Sequence, residues 1–349
     1  MNVSVIQALQ LTQDNNHIIL DVRTLSECAQ GIPQGAMCIE LSDIEQQAKQ
    51  KLFKEITYYV LCQTSQRSAI AITKLQKLGF NNLILINNGF QAWLQEKLPI
   101  EMPRLNDNDF RYERHHQLRG FGRMGQEKLL DAHVLLIGAG GLGSSSAMYL
   151  AAAGVGQITI VDDDTVQLSN LQRQIIHQTD TIGQLKVDSA KKQMLALNPG
   201  IKINALSTRI NKDNANQLIN QVDVVIDGSD NLSTRYLVND VCLLLSKPLV
   251  YAAVYQFEAQ LSVFDFRNKN TACLRCLFPE TEGFEPANCS TEGVLGVVPG
   301  MAGILQASEA IKLITNVGEV LEGQLLIIDL LDNSNRRIKY SKDSGCHLH

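Results

Sequence analysis

A cysteine and an arginine stand close together in the segment Cys62-Gln-Thr-Ser-Gln-Arg67. An apolar run that predicts a strand precedes Cys62, and an amphipathic stretch that predicts a helix follows it. Backbone N–H groups, the positive end of that helix and Arg67 would then surround the sulfur, and each favours its thiolate form. The thiolate is the nucleophilic form of cysteine, so the sequence predicts a reactive sulfur at Cys62.

A glycine-rich turn lies between the predicted strand His133–Ile137 and a predicted helix that Ser144 and Ser145 could cap. Glycines allow the backbone to approach phosphates, and the helix directs its N–H groups and positive end at them. Asp162 ends the next predicted strand, where a carboxylate would bind ribose hydroxyls. This pattern fits ATP and NAD, and a turn without a ligand is the less favoured alternative. The glycines of the turn are Gly138, Gly140, Gly141 and Gly143.

Three later motifs favour ATP over NAD, and on them the chain resembles the MoeB/ThiF family, bacterial relatives of ubiquitin-activating enzymes. The resemblance covers residues 110–349 and implies a Rossmann-like domain with a mixed sheet. Its first motif is far more specific than the glycine turn. The motifs are Ser169-Asn-Leu-Gln-Arg-Gln174, Gly183-Gln-Leu-Lys186 and Asp227-Gly-Ser-Asp-Asn231.

The residue types in these motifs suit adenylation of a carboxylate. A carboxylate is already ionised at neutral pH, so it can attack the α-phosphate of ATP without a general base. The step then requires cations and magnesium to neutralise charge on phosphorus and on the departing pyrophosphate. Arg114, Arg173 and Lys186 can supply positive charge, and the carboxylate of Asp230 can hold magnesium.

The family resemblance assigns roles to individual residues. It implies that Asp162 binds ribose, that Ser169 and Asn170 line the nucleotide, that Arg173 and Lys186 contact phosphates, and that Asp230 binds the metal next to Asn231. Arg111-Tyr-Glu-Arg114 matches the family's opening motif, although His115 replaces the usual glutamine. In the family its second arginine reaches the ATP of the partner subunit, which implies a homodimer. Without the resemblance, Arg114 is an ordinary surface charge.

Cys273-Leu-Arg-Cys276 has the spacing of half a zinc site. The family completes the site near its end, where this chain reads Cys346-His-Leu-His349. We therefore predict a structural zinc bound by Cys273, Cys276, Cys346 and His349, with His347 as a poorer fourth ligand. A redox pair of thiols and a frayed tail are the alternatives. Cys289 lies in a polar loop, where a cysteine of ThiF-like proteins links covalently to the carrier; a free loop thiol is equally favoured.

The N-terminal part of the chain resembles a rhodanese over residues 1–100. The Cys62 loop, Asp21-Val-Arg23 and Gly89-Phe-Gln-Ala-Trp93 carry this resemblance. The C-x₄-R spacing favours sulfur transfer, since related phosphatases have a loop one residue longer. Ser65 replaces the loop glycine of the family, and Gly31-Ile-Pro-Gln-Gly-Ala36 departs from its usual motif. An inactive domain used for docking is therefore the alternative to an active sulfurtransferase.

Strand signals at residues 17–22, 37–41, 58–62 and 83–86 alternate with helix signals at 68–78 and 89–97, which predicts an α/β protein. The two resemblances imply a rhodanese-like domain at residues 1–102 and an adenylyltransferase domain at 110–349, and the polar segment 103–109 predicts a linker between them. The net charge of −5 gives no general argument for nucleic acid. Glycines and Pro299 interrupt the apolar run near residues 294–305, so we expect no membrane span. We see no secretory signal and expect a cytoplasmic location.

Together these motifs predict an enzyme that uses magnesium ATP to adenylate the C-terminal glycine of a ubiquitin-like sulfur carrier of the ThiS or MoaD type. A persulfide on Cys62, supplied by a cysteine desulfurase or a similar donor, would then convert the adenylate to a thiocarboxylate, directly or through Cys289. Thiamine, molybdopterin and thiolated tRNA are the pathways that such a carrier could serve. A non-catalytic sulfur-relay scaffold and an NAD-dependent dehydrogenase are the alternative functions.

Overall fold

The computed structural model describes residues 2–12, 16–103, 110–279, 293–346 and 348. The packing divides the chain into two compact units, residues 1–126 and 127–349. Each unit contains a sheet and helices, which confirms the predicted α/β class. Residues 110–126, which the sequence motifs group with the second domain, pack within the first unit.

The first unit has a five-stranded parallel sheet in the order β1-β6-β5-β2-β4. Strands β3 and β7 form a separate antiparallel pair. The strands predicted from the sequence at residues 17–22, 37–41, 58–62 and 83–86 are confirmed within a few residues. The strands are β1 (Asn2–Val3), β2 (His17–Asp21), β3 (Ile32–Pro33), β4 (Met37–Cys38), β5 (Thr57–Leu61), β6 (Leu83–Ile86) and β7 (Ile100–Glu101).

The helices of the first unit pack against this sheet and carry its motifs. Predicted helices at residues 68–78 and 89–97 correspond to α4 and α5, each within a few residues. Helix α7 crosses the boundary between the units. The helices are α1 (Val5–Leu11), α2 (Leu25–Cys28), α3 (Ile44–Lys51), α4 (Gln66–Lys77), α5 (Gly89–Gln95), α6 (Glu113–His116) and α7 (Gly122–Asp131).

The second unit has an eight-stranded mixed sheet in the order β10-β9-β8-β11-β12-β13-β14-β15. The first five strands are parallel and the last three pairings are antiparallel, which confirms the predicted mixed sheet. The strands are β8 (His133–Ile137), β9 (Gln157–Val161), β10 (Lys202–Leu206), β11 (Val224–Asp227), β12 (Pro248–Tyr255), β13 (Glu258–Asp265), β14 (Gln324–Asp329) and β15 (Ser334–Lys339).

The parallel half of this sheet creates a crevice beside β8. From β8 the chain continues to β9 on one side and later to β11 on the other, so the strand order reverses there. The register pairs Ile137 with Val161 and with Asp227, which brings the carboxyl ends of all three strands to one edge. Ligands of open α/β sheets bind at such a reversal. The helices of this unit are α8 (Gly141–Ala153), α9 (Lys186–Leu197), α10 (Ala215–Asn220), α11 (Leu232–Leu244), α12 (Leu274–Leu277) and α13 (Val297–Thr315).

Helix α13 is longer than the sequence indicated. By length and composition alone it could cross a membrane, so the expectation that Pro299 and the glycines shorten this segment was wrong. Pro299 is the third residue of the helix, where a missing backbone N–H removes no helical hydrogen bond. Half of the apolar window is buried inside the protein, and α13 packs against α8 and β12 as a core helix does.

Candidate functional site

A cavity of about 270 Å³ opens at the carboxyl edge of the parallel strands in the second unit. The ends of β8, β9 and β11 form its base, and the first turn of α8 forms one wall. It contains both acidic and basic side chains, as a site for a metal-bound polyphosphate requires. Predicted site residues that line it are Gly138, Gly140, Gly141, Asp162, Arg173, Lys186, Asp230 and Asn231.

Two glycines of the turn are required by close backbone approaches. Gly138 has φ +92°, and a Cβ there would lie 2.9 Å from the carbonyl oxygen of Gly228. A Cβ on Gly143 would overlap the carbonyl oxygen of Gly138. Helix α8 begins after Gly140 without a side-chain cap, and the hydroxyl of Ser144 donates to the Gly140 carbonyl oxygen at 2.7 Å. The capping role expected for Ser144 and Ser145 was therefore wrong, and no side chain caps the first-turn N–H groups.

Asp162 and His177 hold the glycine turn in place. One carboxylate oxygen of Asp162 accepts from the N–H of Ala139 at 2.8 Å, and the other accepts from the N–H of Asp164 at 2.9 Å. The ring of His177 lies between the carbonyl oxygen of Ala139 and the hydroxyl of Ser189, at 2.9 and 3.0 Å. Burial lowers the pKa of His177. This histidine therefore has a bracing role, in agreement with chemistry that needs no histidine base.

The two predicted phosphate-binding cations lie on the same cavity. Lys186 opens α9, and its side chain is only 7% exposed. Its Nζ lies 2.7 Å from a carboxylate oxygen of Asp164, whose side chain is 66% exposed. Arg173 donates from Nη1 to the carbonyl oxygen of Ser169 at 3.1 Å. Asp164 was missed by the sequence analysis, although it stands in the acidic run directly after Asp162.

The predicted metal ligand lies across the cavity, after β11. Asp230 is exposed, and the amide of Asn231 donates to one of its carboxylate oxygens at 3.5 Å. Asn231 also caps α11, since its Oδ1 accepts from the N–H of Thr234 at 2.9 Å. An exposed carboxylate at the mouth of a phosphate-sized cavity suits a hard cation such as Mg²⁺, which keeps several of its waters.

Around the segment that follows β11, three buried polar atoms have no hydrogen-bond partner among the described residues. They are Oδ2 of Asp227, Oγ of Ser229 and Nε of Arg235. Burial raises the pKa of Asp227, and the charge of Arg235 acts in the opposite direction. Arg235 donates from Nη2 to the carbonyl oxygen of Ser229 at 2.9 Å and lies over the ring of Tyr251. Arg235 therefore fixes the residue that precedes Asp230. The sequence signal for it was its position in the first turn of α11.

Three predicted residues lie elsewhere. Ser169 and Asn170 do not line the cavity, and the side chain of Asn170 accepts from the N–H of Gln167 at 3.0 Å. Arg114 is an exposed residue of α6 in the first unit. Cys289 and His349 lie outside the described residues. The roles assigned to these residues stay predictions.

The Cys62 loop of the first unit forms a cradle around the sulfur. The Sγ atom accepts from the N–H groups of Ser65 at 3.1 Å and Ser68 at 3.4 Å. Ser65 has φ 89°, the left-handed conformation that favours glycine. Its hydroxyl donates to the carbonyl oxygen of Ile86 at 3.1 Å, which offsets part of the conformational cost. The loop thus keeps its N–H cradle although serine replaces the family's glycine.

The arginine of this loop is held by a carboxylate. Both terminal nitrogens of Arg67 donate to Glu27, each at 2.6 Å. Hydrogen bonds from Arg67 are the main cause that lowers the pKa of Glu27 to about 2. Cys62 itself is only 1% exposed.

The other two rhodanese motifs support this loop. Gly89 has φ +54°, and a Cβ there would overlap the carbonyl oxygen of Cys62. That carbonyl oxygen accepts from the N–H of Phe90 at 2.7 Å. The guanidinium of Arg23 lies 3.5 Å from the ring centroid of Phe90 and donates to the buried carboxylate of Asp21.

Three of the four predicted zinc ligands come together in the second unit. The Sγ of Cys273 lies 3.7 Å from those of both Cys276 and Cys346. Four sulfurs at the ordinary Zn–S distance form a tetrahedron with edges of about 3.8 Å. The three thiols therefore have the spacing of a metal-bound set. The fourth predicted ligand, His349, lies outside the described residues, as does His347.

Family models match both parts of the chain. A model of the ThiF family matches residues 112–348, and a model of the rhodanese-like domain matches residues 4–96. Crystal structures of E. coli MccB share the fold. One superimposes with a TM-score of 0.62 at 21% identity, over 70% of this chain and 74% of MccB.

Similar proteins include enzymes of sulfur-carrier chemistry. The chain is 44% identical to the SAMP-activating enzyme E1 of Haloferax volcanii, over 68% of this chain and 87% of that protein. It is 42% identical to the sulfur carrier protein adenylyltransferase of Thermus thermophilus, over 68% and 89%. It is 46% identical to the adenylyltransferase and sulfurtransferase MOCS3 of Culex quinquefasciatus, over 70% of this chain but only 56% of that protein. Because the ThiF model spans residues 112–348 of 349, this chain belongs to the ThiF family and has a rhodanese-like domain in front of that match.

Proposed function

We propose that this protein adenylates the C-terminal glycine of a ubiquitin-like sulfur carrier of the ThiS or MoaD type and then supplies the sulfur for its thiocarboxylate. The observation that supports this most is the composition of the crevice beside β8. It holds the glycine turn, the two cations Arg173 and Lys186, and the carboxylate of Asp230 around one cavity. An adenylyltransferase needs these groups, whereas hydride transfer to NAD needs no metal-binding carboxylate opposite two phosphate-binding cations.

In the first step, a carboxylate oxygen of the carrier forms a bond to the α-phosphorus of ATP while the bond to pyrophosphate breaks. Arg173 and Lys186 stabilise the negative charge that develops on the phosphates. Asp162 binds the ribose, and the N–H groups at the start of α8 face the phosphates. Asp230, beside Asn231, would hold magnesium, and the metal would supply positive charge near the departing pyrophosphate.

In the second step, the terminal sulfur of a persulfide on Cys62 attacks the carbonyl carbon of the acyl-adenylate, and AMP leaves. A thiol reductant then attacks the Cys62 sulfur, which releases the thiocarboxylate and leaves a disulfide. The N–H groups of Ser65 and Ser68 stabilise the charged sulfur of Cys62. A cysteine desulfurase is the proposed persulfide donor, and Cys289 is a candidate for an intermediate covalent link to the carrier.

We also propose a domain boundary, an oligomeric state, a cellular location, a zinc site and a pathway for this protein. We place the functional boundary at residues 103–109, expect a homodimer in which Arg114 reaches the partner subunit's ATP, and expect activity in the cytoplasm. A structural zinc would be held by Cys273, Cys276, Cys346 and His349. Four protein ligands leave no open position, so this metal has no role in the reaction. The carrier's pathway is thiamine, molybdopterin or tRNA thiolation.

The experiment that tests the proposal incubates the full chain with candidate carriers, magnesium ATP, cysteine and a cysteine desulfurase. Carrier mass is then read by mass spectrometry. We expect a mass gain equal to the replacement of one oxygen by sulfur, and none when ATP is omitted. NAD in place of ATP should give no product. A carrier that binds tightly but stays unmodified, with no exchange of labelled pyrophosphate into ATP, would contradict the proposal and favour a scaffold.

A docking role for the rhodanese-like domain is the second candidate, and one observation favours it. Cys62 is only 1% exposed, so its thiol is not directly open to a donor protein. In that case the second unit would still adenylate the carrier. Sulfur would then come from a separate persulfide protein, and a Cys62→Ala variant would form thiocarboxylate normally.

A further inference from the structure

Two cysteines of the first unit that the proposed chemistry does not use lie side by side. Cys28 ends α2 and is fully buried, whereas Cys38 ends the edge strand β4 and is half-buried. Both are free thiols, and their Sγ atoms are 3.2 Å apart. A disulfide bond requires about 2.05 Å between sulfurs, so an approach of roughly 1.2 Å would join them.

The surroundings of the pair favour sulfur chemistry over metal binding. The nearest carboxylate is that of Asp21, which could complete a three-ligand site. However, both oxygens of Asp21 already accept hydrogen bonds from the guanidinium of Arg23, at 2.7 to 3.0 Å. This carboxylate is fully buried and could take a metal only by giving up that ion pair. The accessible reaction is therefore that of the two thiols with each other.

We propose that Cys28 and Cys38 are a redox-modification site, which a low-molecular-weight disulfide such as glutathione disulfide converts to an intrachain disulfide. The less buried member reacts first: the Cys38 sulfur attacks one sulfur of glutathione disulfide, and glutathione thiolate leaves. The Cys28 sulfur then attacks Cys38 and displaces a second glutathione thiolate. The two thiol protons pass to the two glutathiones, so one glutathione disulfide is reduced for each protein disulfide formed.

The elements that carry the pair are short and can move by this distance. Helix α2 has a single turn, and β4 has two residues that pair with β2 alone. The hydrogen bond with Cys38 and burial raise the pKa of Cys28, so Cys28 is protonated at neutral pH. We therefore expect the second step to be the slower one, with a mixed disulfide on Cys38 as the intermediate.

Formation of the disulfide would also change the position of a residue that holds the Cys62 loop. Cys28 follows Glu27 directly, and Glu27 holds the loop arginine Arg67 through two hydrogen bonds of 2.6 Å. Drawing Cys28 toward Cys38 displaces the end of α2 and with it this carboxylate. If Cys62 carries the persulfide, as the proposed function holds, oxidation should slow persulfide formation while leaving adenylation unchanged. This consequence rests on the proposed function, whereas the disulfide itself does not.

The first experiment tests the disulfide alone. The full chain is equilibrated with glutathione disulfide, alkylated without reduction, digested and analysed by mass spectrometry. We expect a linked peptide that contains Cys28 and Cys38, and none in the Cys38→Ser variant. A Cys62→Ala background removes competing adducts at the loop. If Cys38 instead retains glutathione and Cys28 is alkylated at every ratio of oxidised to reduced glutathione, the proposal is wrong.

The second experiment tests the consequence. Oxidised protein, freed of glutathione, receives sulfur from a cysteine desulfurase, and persulfide on Cys62 is followed over time. We expect loading of the wild type to fall on the order of tenfold to a hundredfold, as a displacement of about 1 Å can cause. Identically treated Cys38→Ser should load at the rate of reduced protein. Equal loading of oxidised and reduced wild type would refute the coupling. No loading of reduced protein would refute the proposed role of Cys62 and leave the disulfide result standing.

Discussion

The ion pair between Lys186 and Asp164 should compete with ATP for the Lys186 ammonium, and this competition can be tested. The Nζ of Lys186 lies 2.7 Å from a carboxylate oxygen of Asp164. If this ammonium contacts the phosphates of ATP, it must leave or share the carboxylate when ATP binds. Replacing Asp164 by asparagine removes that competition and keeps the size of the side chain. We therefore expect Asp164→Asn to bind magnesium ATP more tightly than the wild type does.

The size of the effect follows from the exposure of the pair. Asp164 is 66% exposed, so the pair is screened by water although Lys186 is only 7% exposed. Exposed ion pairs contribute about 0.2–1 kcal/mol, which sets an upper limit of roughly fivefold on the gain in ATP affinity. Lys186→Ala removes a charge from the transition state, and comparable losses are about a hundredfold to a thousandfold in rate. Asp164→Asn should thus raise the affinity for ATP, whereas Lys186→Ala should lower the rate of pyrophosphate exchange.

Isothermal titration with magnesium ATP measures the affinity, and carrier-dependent exchange of labelled pyrophosphate measures the rate. Asp163→Asn is the matched control. Asp163 is an exposed neighbour that lines the same cavity and has no ion pair with described residues, so its loss changes the net charge equally. The gain in affinity for Asp164→Asn should exceed that for Asp163→Asn. If Asp164→Asn instead loses exchange activity to the extent of Lys186→Ala, Asp164 orients the lysine or binds the metal, and the competition argument is refuted.

Three further predictions concern the subunits, the metal and the two chemical steps. Arg114→Ala and Lys186→Ala should each be nearly inactive in pyrophosphate exchange, but mixed and re-associated they should regain activity, because one site of the heterodimer has both cations. Purified protein should contain about one zinc per chain by metal analysis, and removing Leu348 and His349 should weaken its retention without changing ATP affinity. Cys62→Ala should keep pyrophosphate exchange and lose thiocarboxylate formation from a desulfurase, whereas Asp230→Ala should lose exchange and still acquire a persulfide.

A specific result would contradict each of these three predictions. No recovery in verified heterodimers would mean that Arg114 acts in its own subunit or not at all. Protein purified without chelator that contains no zinc would refute the metal site. Thiocarboxylate formed by Cys62→Ala at the normal rate would reduce the rhodanese-like domain to a docking module. Excess inorganic sulfide should restore thiocarboxylate formation to Cys62→Ala but not to Asp230→Ala, since free sulfide attacks the adenylate unaided.

In the second unit, the sequence predicted strands of the parallel half of the sheet, such as β8 and β9, better than the rest. Strand β8 is apolar after His133 and is followed by Gly138, so both its position and its end are encoded locally. The antiparallel strands β13 to β15 were not identified. Strand β15 is largely exposed and gives no local apolar signal. Strand β13 alternates polar and apolar residues and β14 contains the apolar run 325–328, so the sequence analysis overlooked the local signals of these two strands.

In the candidate nucleotide site too, the sequence predicted residues with a local signal and missed those whose role depends on tertiary contacts. Residues of the glycine turn could be predicted because a positive φ and close backbone contacts leave few alternatives to glycine. Asp164 and Arg235 were missed because their roles depend on partners far away in the sequence or on backbone carbonyls. Arg235 donates to the backbone carbonyl oxygen of Ser229, and every residue type offers such an acceptor, so the sequence does not identify this partner.

Arg67 of the first unit and Lys186 of the second unit have different kinds of carboxylate partner. Each kind suits the chemistry proposed for that unit. Hydrogen bonds from Arg67 lower the pKa of Glu27 to about 2, against an ordinary 4.5, and the two side chains are about 30% exposed. Because the folded-state pKa is depressed, this pair stabilises the fold above about pH 4.5 and loses that contribution as the pH falls toward 2. At neutral pH Arg67 is therefore held by Glu27 whether or not sulfur is present, which suits the constant positive charge proposed for the Cys62 loop. Lys186 has a largely exposed partner and can exchange it for a phosphate, which suits a site that binds ATP and releases AMP and pyrophosphate in every turnover.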